Sequence, residues 1–411
     1  MSSEKSLAEE FNISSPTSLG QGAGIMIVED QQDMRLIVAH HLNKMGFKKT
    51  FQYGDAMDAV EFLKNKESPP IDILICSMEI PGGLSGIDFL QELKENPILE
   101  RGPFIMSMAN PSKEKIMLTT ESGADEILVK PFSLKDILPK IKNAFTIYHN
   151  PKNPEKVYEL AKRQFREEKY DEAKKIYSRI AQATEKAARP CVGLARVEAK
   201  LGNVDGALKL LEEAQNRNKH YVHTYVVRGE ILSAQKKIDA AIEQYKTAIE
   251  LSPLNPMRYE NAAQLLFDQK RYEEAIQILE VAVRNELNFS SLHHYLSQGY
   301  YAVKDYKKAI KHIRSALGLN PENVVYLNQL GISYKESGLI EEATKTYNSI
   351  IKLDPNNKAA LYNKAILMHS TGAADEAIKI LSRLVGKYPD FEQAKTKLAE
   401  YQKGKGGQQA S

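Results

Sequence analysis

Four residues at three distant places in the chain carry the chemistry this sequence has to offer. Glu29 and Asp30 close the apolar run GIMIV, Ser77 closes IDILIC, and Lys130 closes EILV. An adjacent carboxylate pair facing a lysine is the layout for a divalent cation and a phosphoryl group: hard oxygens hold the metal, and the ammonium neutralises the phosphoryl oxygens. Ser77 is the odd member. The stretch DILICSMEIPGG, residues 72–83, is an apolar run stopped by a polar residue and a Pro-Gly turn, built to deliver one side chain to a sheet edge. What it delivers is a hydroxyl. Asp72 opens the strand five residues earlier, some 16 Å away at ~3.3 Å per residue, and Glu79 lies in the turn with no reason to point at Lys130. A serine phosphate would be a stable ester rather than a labile acyl phosphate. Ser77 is therefore expected to be a small polar cap on a buried strand.

The elements that must position these residues run from Gly24 to about Ile147. Apolar strands alternate with amphipathic stretches: GIMIV, then 33–45, KTFQY, 55–65, IDILIC, 86–95, PFIMSM, 112–122, EILVK and 134–147. Five such units imply a doubly wound α/β sheet, parallel throughout, with helices on both faces. Function in such sheets sits at the carboxyl ends of the strands. Those ends carry Glu29-Asp30, Ser77, Met108-Ala109 and Lys130-Pro131. Pro139 lies inside the last predicted helix and is expected to kink or restart it.

IMIVEDQQDMR, PGGLSG and ILVKPF, in that order, resemble the receiver domain of bacterial response regulators over about 125 residues. The resemblance implies a flavodoxin-like five-stranded fold and a place in two-component signalling or a phosphorelay. It also implies roles. Glu29 and Asp30 match the acidic pair that holds Mg²⁺, and Lys130 matches the lysine that meets the phosphoryl group. The phosphoacceptor, an aspartate four residues before the turn proline, is here Ser77. The sensing hydroxyl position is Met108, with Ser107 one residue out of phase, and the aromatic switch position is Ile127. The turn 81–86 is one residue longer than the usual form. Binding residues survive in part while acceptor, sensor and switch are replaced, which implies a pseudo-receiver. Without the third carboxylate, weak Mg²⁺ binding at Glu29 and Asp30 is the most this set allows, and no other cofactor is expected. Lys130 is then expected to compensate the two carboxylates, because buried charges need partners.

After Pro154 the period changes. Ala173, Ala207, Ala241, Ala275, Ala309, Ala343 and Ala377 recur at intervals of 34. Twelve residues before each lies a small residue (Ala161, Ala195, Gly229, Ala263, Ser297, Gly331, Ala365). Four after each lies a large apolar one (Tyr177, Leu211, Tyr245, Leu279, Ile313, Tyr347, Leu381). Small residues let two helices approach, and large ones fill the groove between hairpins. The pattern resembles the tetratricopeptide repeat, an all-α solenoid superhelix. The expected organisation is a disordered segment 1–22, a receiver-like domain 23–148, a stiff linker 149–154, seven repeats over 155–389, a capping helix 390–403 and a disordered tail 404–411. The last receiver helix is a candidate to dock on the first repeat as its missing cap. A freely tumbling receiver is the alternative.

Composition removes several classes of function. With 56 basic against 53 acidic residues, the net charge of +3 leaves no nucleic-acid footprint. No apolar run is long enough for a signal peptide or a membrane span. Cys76 and Cys191 are the only cysteines, so a cytoplasmic setting without disulfides is expected. The pairs His40-His41 and His293-His294 point about 100° apart on a helix and cannot easily share a metal. His220 and His223 lack a third ligand. No phosphate-binding loop, nucleophile elbow or nucleotide fingerprint appears, so no enzymatic activity is expected.

Protein partners remain. In the repeat family, residues 18, 15, 11 and 8 before each recurring alanine line the inner wall. These positions give Tyr158, Lys162, Phe165, Arg189, Arg196, His223 and Glu230, then Gln264, Phe267, His294, Gln298, Tyr301, Asn328, Lys335, Tyr362 and His369. They describe a polar, aromatic groove for an extended segment or a helix, with Lys162, Arg189 and Arg196 favouring an acidic ligand end. The favoured expectation is a non-enzymatic scaffold that binds proteins through this groove and a phosphorylation-independent receiver face, which can also serve a homodimer. A response regulator phosphorylated by an unusual route, with the repeats as output, is one alternative. A chaperone adaptor is another, disfavoured by Tyr158, Lys162, Val192 and Arg196 at positions where that group uses Lys and Asn.

Overall fold

The computed structural model describes residues 23–65, 67–80, 84–95, 102–149 and 154–408. It divides into two compact units, residues 1–258 and 259–411. The expected disordered segment 1–22 and most of the linker lie outside the described residues, as do residues 81–83 of the lengthened turn.

The first unit opens with β1 (Gly24–Val28), β2 (Lys49–Tyr53), β3 (Ile73–Ser77), β4 (Phe104–Met108) and β5 (Glu126–Val129). They alternate with α1 (Gln32–Lys44), α2 (Ala56–Lys64), α3 (Gly86–Glu95), α4 (Lys113–Ser122) and α5 (Leu134–His149). The strands form one parallel sheet in the order β2-β1-β3-β4-β5. β1, β3 and β4 are buried along their whole length, as their unbroken apolar runs require when helices cover both faces. Alternate residues feed two cores. Ile25, Ile27, Ile73, Ile75 and Ile105 pack with Val38 and Leu42 of α1 and Ile137, Ile141 and Ala144 of α5. Met26, Val28, Leu74, Cys76, Met106 and Met108 pack with α2, α3 and α4. α5 runs as one helix through Pro139, so the expected restart does not occur. The missing N–H forfeits one intrahelical bond, and the buried face of Ile137, Ile141 and Ala144 holds the helix together across it.

Six further helices complete the hairpins of this unit: α6 (Pro154–Arg166), α7 (Tyr170–Ala183), α8 (Arg189–Lys200), α9 (Val204–Arg217), α10 (Val222–Ala234) and α11 (Ile238–Leu251). α12 (Pro256–Asp268) contains the boundary between the units. Within the first unit, α3 and α4 meet the repeats. The Lys94 carbonyl accepts a hydrogen bond from Arg166 Nη1 at 3.2 Å, and α4 reaches the third hairpin and Arg258 at the start of α12. These contacts lie on α3 and α4, and at the end of α5 burial and the nearby Lys156 charge of α6 lower the pKa of His149, so the receiver is not free of the repeats.

The second unit continues with α13 (Tyr272–Arg284), α14 (Ser290–Ala302), α15 (Tyr306–Leu319), α16 (Val324–Glu336), α17 (Ile340–Leu353), α18 (Lys358–Ser370), α19 (Ala374–Lys387) and α20 (Glu392–Gln408). α20 buries Ala394 and Tyr401 with Leu381 and Leu384 of α19. It extends to Gln408, beyond the expected start of a tail at 404.

All seven recurring alanines are fully buried, and so are the large residues four positions later. Two glycines show why the position twelve residues earlier is small. A Cβ on Gly229 would lie 3.0 Å from the Tyr245 ring, and one on Gly331 would lie 2.6 Å from the Tyr347 ring. A further register position appears only in the backbone. The residue five before each alanine (Glu168, Gly202, Lys236, Lys270, Lys304, Gly338, Gly372) has a positive φ between 57° and 89°. It closes the turn inside the hairpin: Lys236 N donates to Ser233 O and Lys237 N to Leu232 O, satisfying the last carbonyls of α10.

Candidate functional site: the sheet edge and the repeat faces

β1 and β3 are neighbours whose connections leave in opposite directions, so a crevice opens beyond their carboxyl ends. The cleft there has a volume of about 650 Å³ and is lined by Asp30, Gln31, Met34, Glu79, Ile80, Ala109, Asn110, Lys130 and Pro131. Three of the four residues singled out from the sequence interlock beside it. Lys130 Nζ lies 2.5 Å from Glu29 Oε2 and donates to Ser77 Oγ at 3.0 Å. Ser77 Oγ in turn donates to the Glu79 carbonyl at 3.2 Å. The hydroxyl is thus engaged on both sides, and Ser77 is only 2% exposed. Asp30 lines the cleft without joining this chain of bonds in the contacts found here.

Glu29 is as buried as Ser77, and its Oε1 has no hydrogen-bond partner among the described residues. Burial raises the pKa of its carboxyl above the ordinary value. The Lys130 hydrogen bond and charge oppose that shift without cancelling it, and the Asp30 charge adds to it. Burial also pushes the neighbouring Cys76 thiol up, which makes it an inert core residue.

The donor set leaves Mg²⁺ few protein ligands. The ion needs near-octahedral oxygen coordination at about 2.0–2.1 Å. Here one Glu29 oxygen belongs to Lys130, Ser77 supplies a committed hydroxyl where a carboxylate is needed, and only Glu29 Oε1 and Asp30 remain. The replaced positions lie in the core. Met108 is fully buried, the Ser107 hydroxyl donates across to the Cys76 carbonyl at 3.4 Å, and Ile127 packs against the core beneath α4.

Two partners escaped the sequence reading. Arg35 of α1 donates from Nη1 to the carbonyl of Glu29 and, at 3.4 Å, to that of Asp30, bracing the backbone that presents the acidic pair. Its position, one turn into the helix after that pair, was a usable signal. Glu79 turns from Lys130 to Lys115 of α4, 2.5 Å away. That pairing joins residues 36 apart and left no local pattern.

On the first unit's repeats, Tyr158 is buried in the hairpin core with the Arg189 guanidinium 4.0 Å above its ring. Phe165 packs on Tyr170. Lys162 pairs with Glu159 at 2.5 Å, and Arg196 lies 3.5 Å from Glu230. His223 is pushed down to about 4 by burial, then by Arg196, Arg258, Arg189 and Lys162. Lys162, Arg189 and Arg196 thus share the neighbourhood of His223, where Lys162 and Arg196 already face carboxylates.

On the second unit, many inner-face residues pair between successive repeats. Gln264 Oε1 accepts from the Tyr295 hydroxyl at 3.1 Å, and Asn363 Nδ2 donates to Asn328 Oδ1 at 2.9 Å. Phe267, His294 and Tyr362 pack at a tilt against Tyr295, Tyr326 and Phe391, and His369 stacks on Tyr401. Tyr301 sits against Tyr306, Lys335 pairs with Glu336, and Gln298 is half-buried. Part of the anticipated inner wall thus holds repeat to repeat.

Comparison with known proteins follows this division. A response regulator receiver domain model matches residues 25–142. Tetratricopeptide repeat models match residues 156–258, 232–298, 324–357 and 341–401, reaching past the seventh repeat into α20. Chemotaxis protein CheY-3 of Vibrio cholerae is 29% identical over 127 residues, covering 31% of this chain and 95% of that protein. Chemotaxis protein CheY of Pseudomonas aeruginosa is 30% identical over 121 residues, covering 29% of this chain and 94% of that protein. The C-terminal part of a TPR repeat-containing protein from Cytophaga hutchinsonii is 18% identical, with a TM-score of 0.49, covering 57% of this chain and 96% of that one.

Proposed function

We propose that this chain, which belongs to the response regulator receiver family through residues 25–142 and carries tetratricopeptide repeats beyond them, is a signalling scaffold whose receiver no longer runs a phosphotransfer cycle. The repeats bind a protein partner, the receiver contributes a second, phosphorylation-independent face, and neither part is an enzyme. No helix among the described residues is long and apolar enough to cross a membrane, and the setting proposed is the cytoplasm.

The observation that carries this reading is the Ser77 hydroxyl, held between Lys130 Nζ and the Glu79 carbonyl at the place where a receiver needs a free carboxylate. The lysine that would meet a phosphoryl group is spent on Glu29 and Ser77. Acetyl phosphate or beryllofluoride with Mg²⁺ is expected to leave hydrogen exchange in residues 77–80 and 107–110 of the full chain unchanged. A phosphodonor-dependent change there would favour a response regulator working by an unusual route. Ser77→Asp is expected to regain Mg²⁺ binding without a switch, since Met108 has no hydroxyl and Ile127 no ring to rotate.

A further inference from the structure

α4 works on two sides. Toward the cleft, Lys115 pairs with Glu79 at 2.5 Å and the Thr119 hydroxyl meets Met78 Sδ at 4.0 Å, so the helix backs the segment that follows Ser77. Away from the cleft it carries Met117 and Glu121, one helical turn apart and hence on one face. Met117 packs against Val222, Tyr225 and Ala248 at the start of α10 and the end of α11. Glu121 Oε2 accepts from Arg258 Nη2 at 2.6 Å and from Ser252 Oγ at 3.0 Å.

The burial of this pair sets it apart from the surface bridges of the repeats. The Arg258 side chain is 3% exposed and that of Glu121 14%, whereas Arg196 and Glu230 are 46% and 45% exposed. A guanidinium that deep needs a counter-charge. Its other bonds, to the Ser252 and Ala248 carbonyls, satisfy donors without neutralising it. The start of α12, just past the third hairpin, thus carries a buried cation whose carboxylate comes from the receiver. Leu254, in the turn before α12, also packs against the receiver core, so apolar contact accompanies the ion pair.

The geometry points to α4 as a latch: it clamps the receiver onto the third hairpin through Met117 and onto the start of α12 through Glu121 and Arg258, and it ties that clamp to the cleft through Lys115 and Glu79. The latch is independent of whether the cleft ever accepts a phosphoryl group. While it is closed, Met117 and Glu121 are withheld from outside partners, and opening it must change the surroundings of residues 78–80 as well.

Hydrogen exchange on the full chain tests both halves. Glu121→Arg and Arg258→Glu, each alone, are expected to speed exchange about tenfold in residues 113–122, 222–225 and 248–252, as local opening does. Residues 78–80 should speed up with them. The double variant Glu121→Arg/Arg258→Glu restores the pair in reverse and is expected to return all four segments to near wild-type protection. Circular dichroism accompanies each variant, and Glu121→Gln, with no reversed charge, should give a smaller change in the same direction if a reversal unfolds the chain. Single variants with wild-type exchange, or a double variant no more protected than the singles, overturn the clamp. Opening at 113–122 with 78–80 unmoved overturns the link to the cleft.

Discussion

The sheet edge and the repeat array carry their roles in opposite ways. At the edge each role belongs to one residue, so a single exchange such as Ser77 can alter it while β1, β3 and β4 remain buried around it. In the array each packing role is written seven times, from Ala173 to Ala377, so no one copy carries it alone. A fold of this kind keeps its core because hydrophobic burial is spread over many residues. Its chemistry depends on a few polar groups that can be exchanged without unfolding it. If the edge runs no phosphotransfer, as proposed, its polar groups are constrained only by one another.

The largest effect separating the two regions should come from Lys130→Met. The change leaves Glu29 buried without its ion partner, and breaking such a pair costs about 3 kcal/mol. The sign with pH follows from Glu29. Its folded pKa is raised, so the folded chain holds that proton more tightly than the unfolded one, and ionisation works against folding at neutral pH. Removing Lys130 raises that pKa further. The destabilisation should therefore be greatest near neutral pH and shrink as the solution is acidified through the carboxylate range. Urea melts of the two proteins at several pH values measure it, and an equal loss at every pH would show that packing, not charge, is what Lys130 supplies.

Within the array, Gly331→Ala should come next. The new methyl would sit 2.6 Å from the ring of fully buried Tyr347, and overpacking of this sort costs about 1–3 kcal/mol. Gly318→Ala is its control, because nothing lies within 4 Å of that position. There the gain in helix propensity, roughly 0.5–1 kcal/mol, should raise stability. Opposite signs for one substitution, read by thermal melts, would show that the period is set by close helix approach.

A smaller gain is expected from Lys304→Gly, where φ is +63°. The left-handed conformation costs a side-chain-bearing residue about 1 kcal/mol, so relief should lift stability by up to that amount. Gly202, Gly338 and Gly372 already occupy the equivalent turn.

What could be read from sequence and what could not divide along the same physical line. Strand runs and the 34-residue alanine period were legible because burial repeats at fixed offsets. The receiver positions Glu29, Asp30, Ser77 and Lys130 were legible because they end strands, and strand ends meet at one sheet edge. The Glu121–Arg258 pair was not, because it joins residues 137 apart through a packing of domains that no local period encodes. Nor was the fate of Tyr158, whose inner-wall position says nothing of its burial beneath Arg189. The helical end of α20 was missed because GKGG resembles a tail, whereas the helix packed on α19 carries through it.

The smallest expected change in stability, and the sharpest test of where a partner binds, is Arg196→Glu combined with Tyr301→Ala. Arg196 and Glu230 form an exposed pair at 3.5 Å, worth roughly 0–1 kcal/mol, and Tyr301 is only partly buried against Tyr306. The melting temperature should barely move, while capture of a repeat-bound partner should fall, since aromatic and arginine anchors dominate such contacts. Deleting the receiver is a poor counter-test, because it would strip Arg258 of its carboxylate and bare the surface beneath Met117. Charge reversals at the exposed receiver residues Lys113 and Glu114 probe that face with the latch intact. Capture that survives the groove variant but falls with those reversals would move the partner site to the receiver. The array would then be the support and the degenerate receiver the reader, reversing the roles assigned to the two regions.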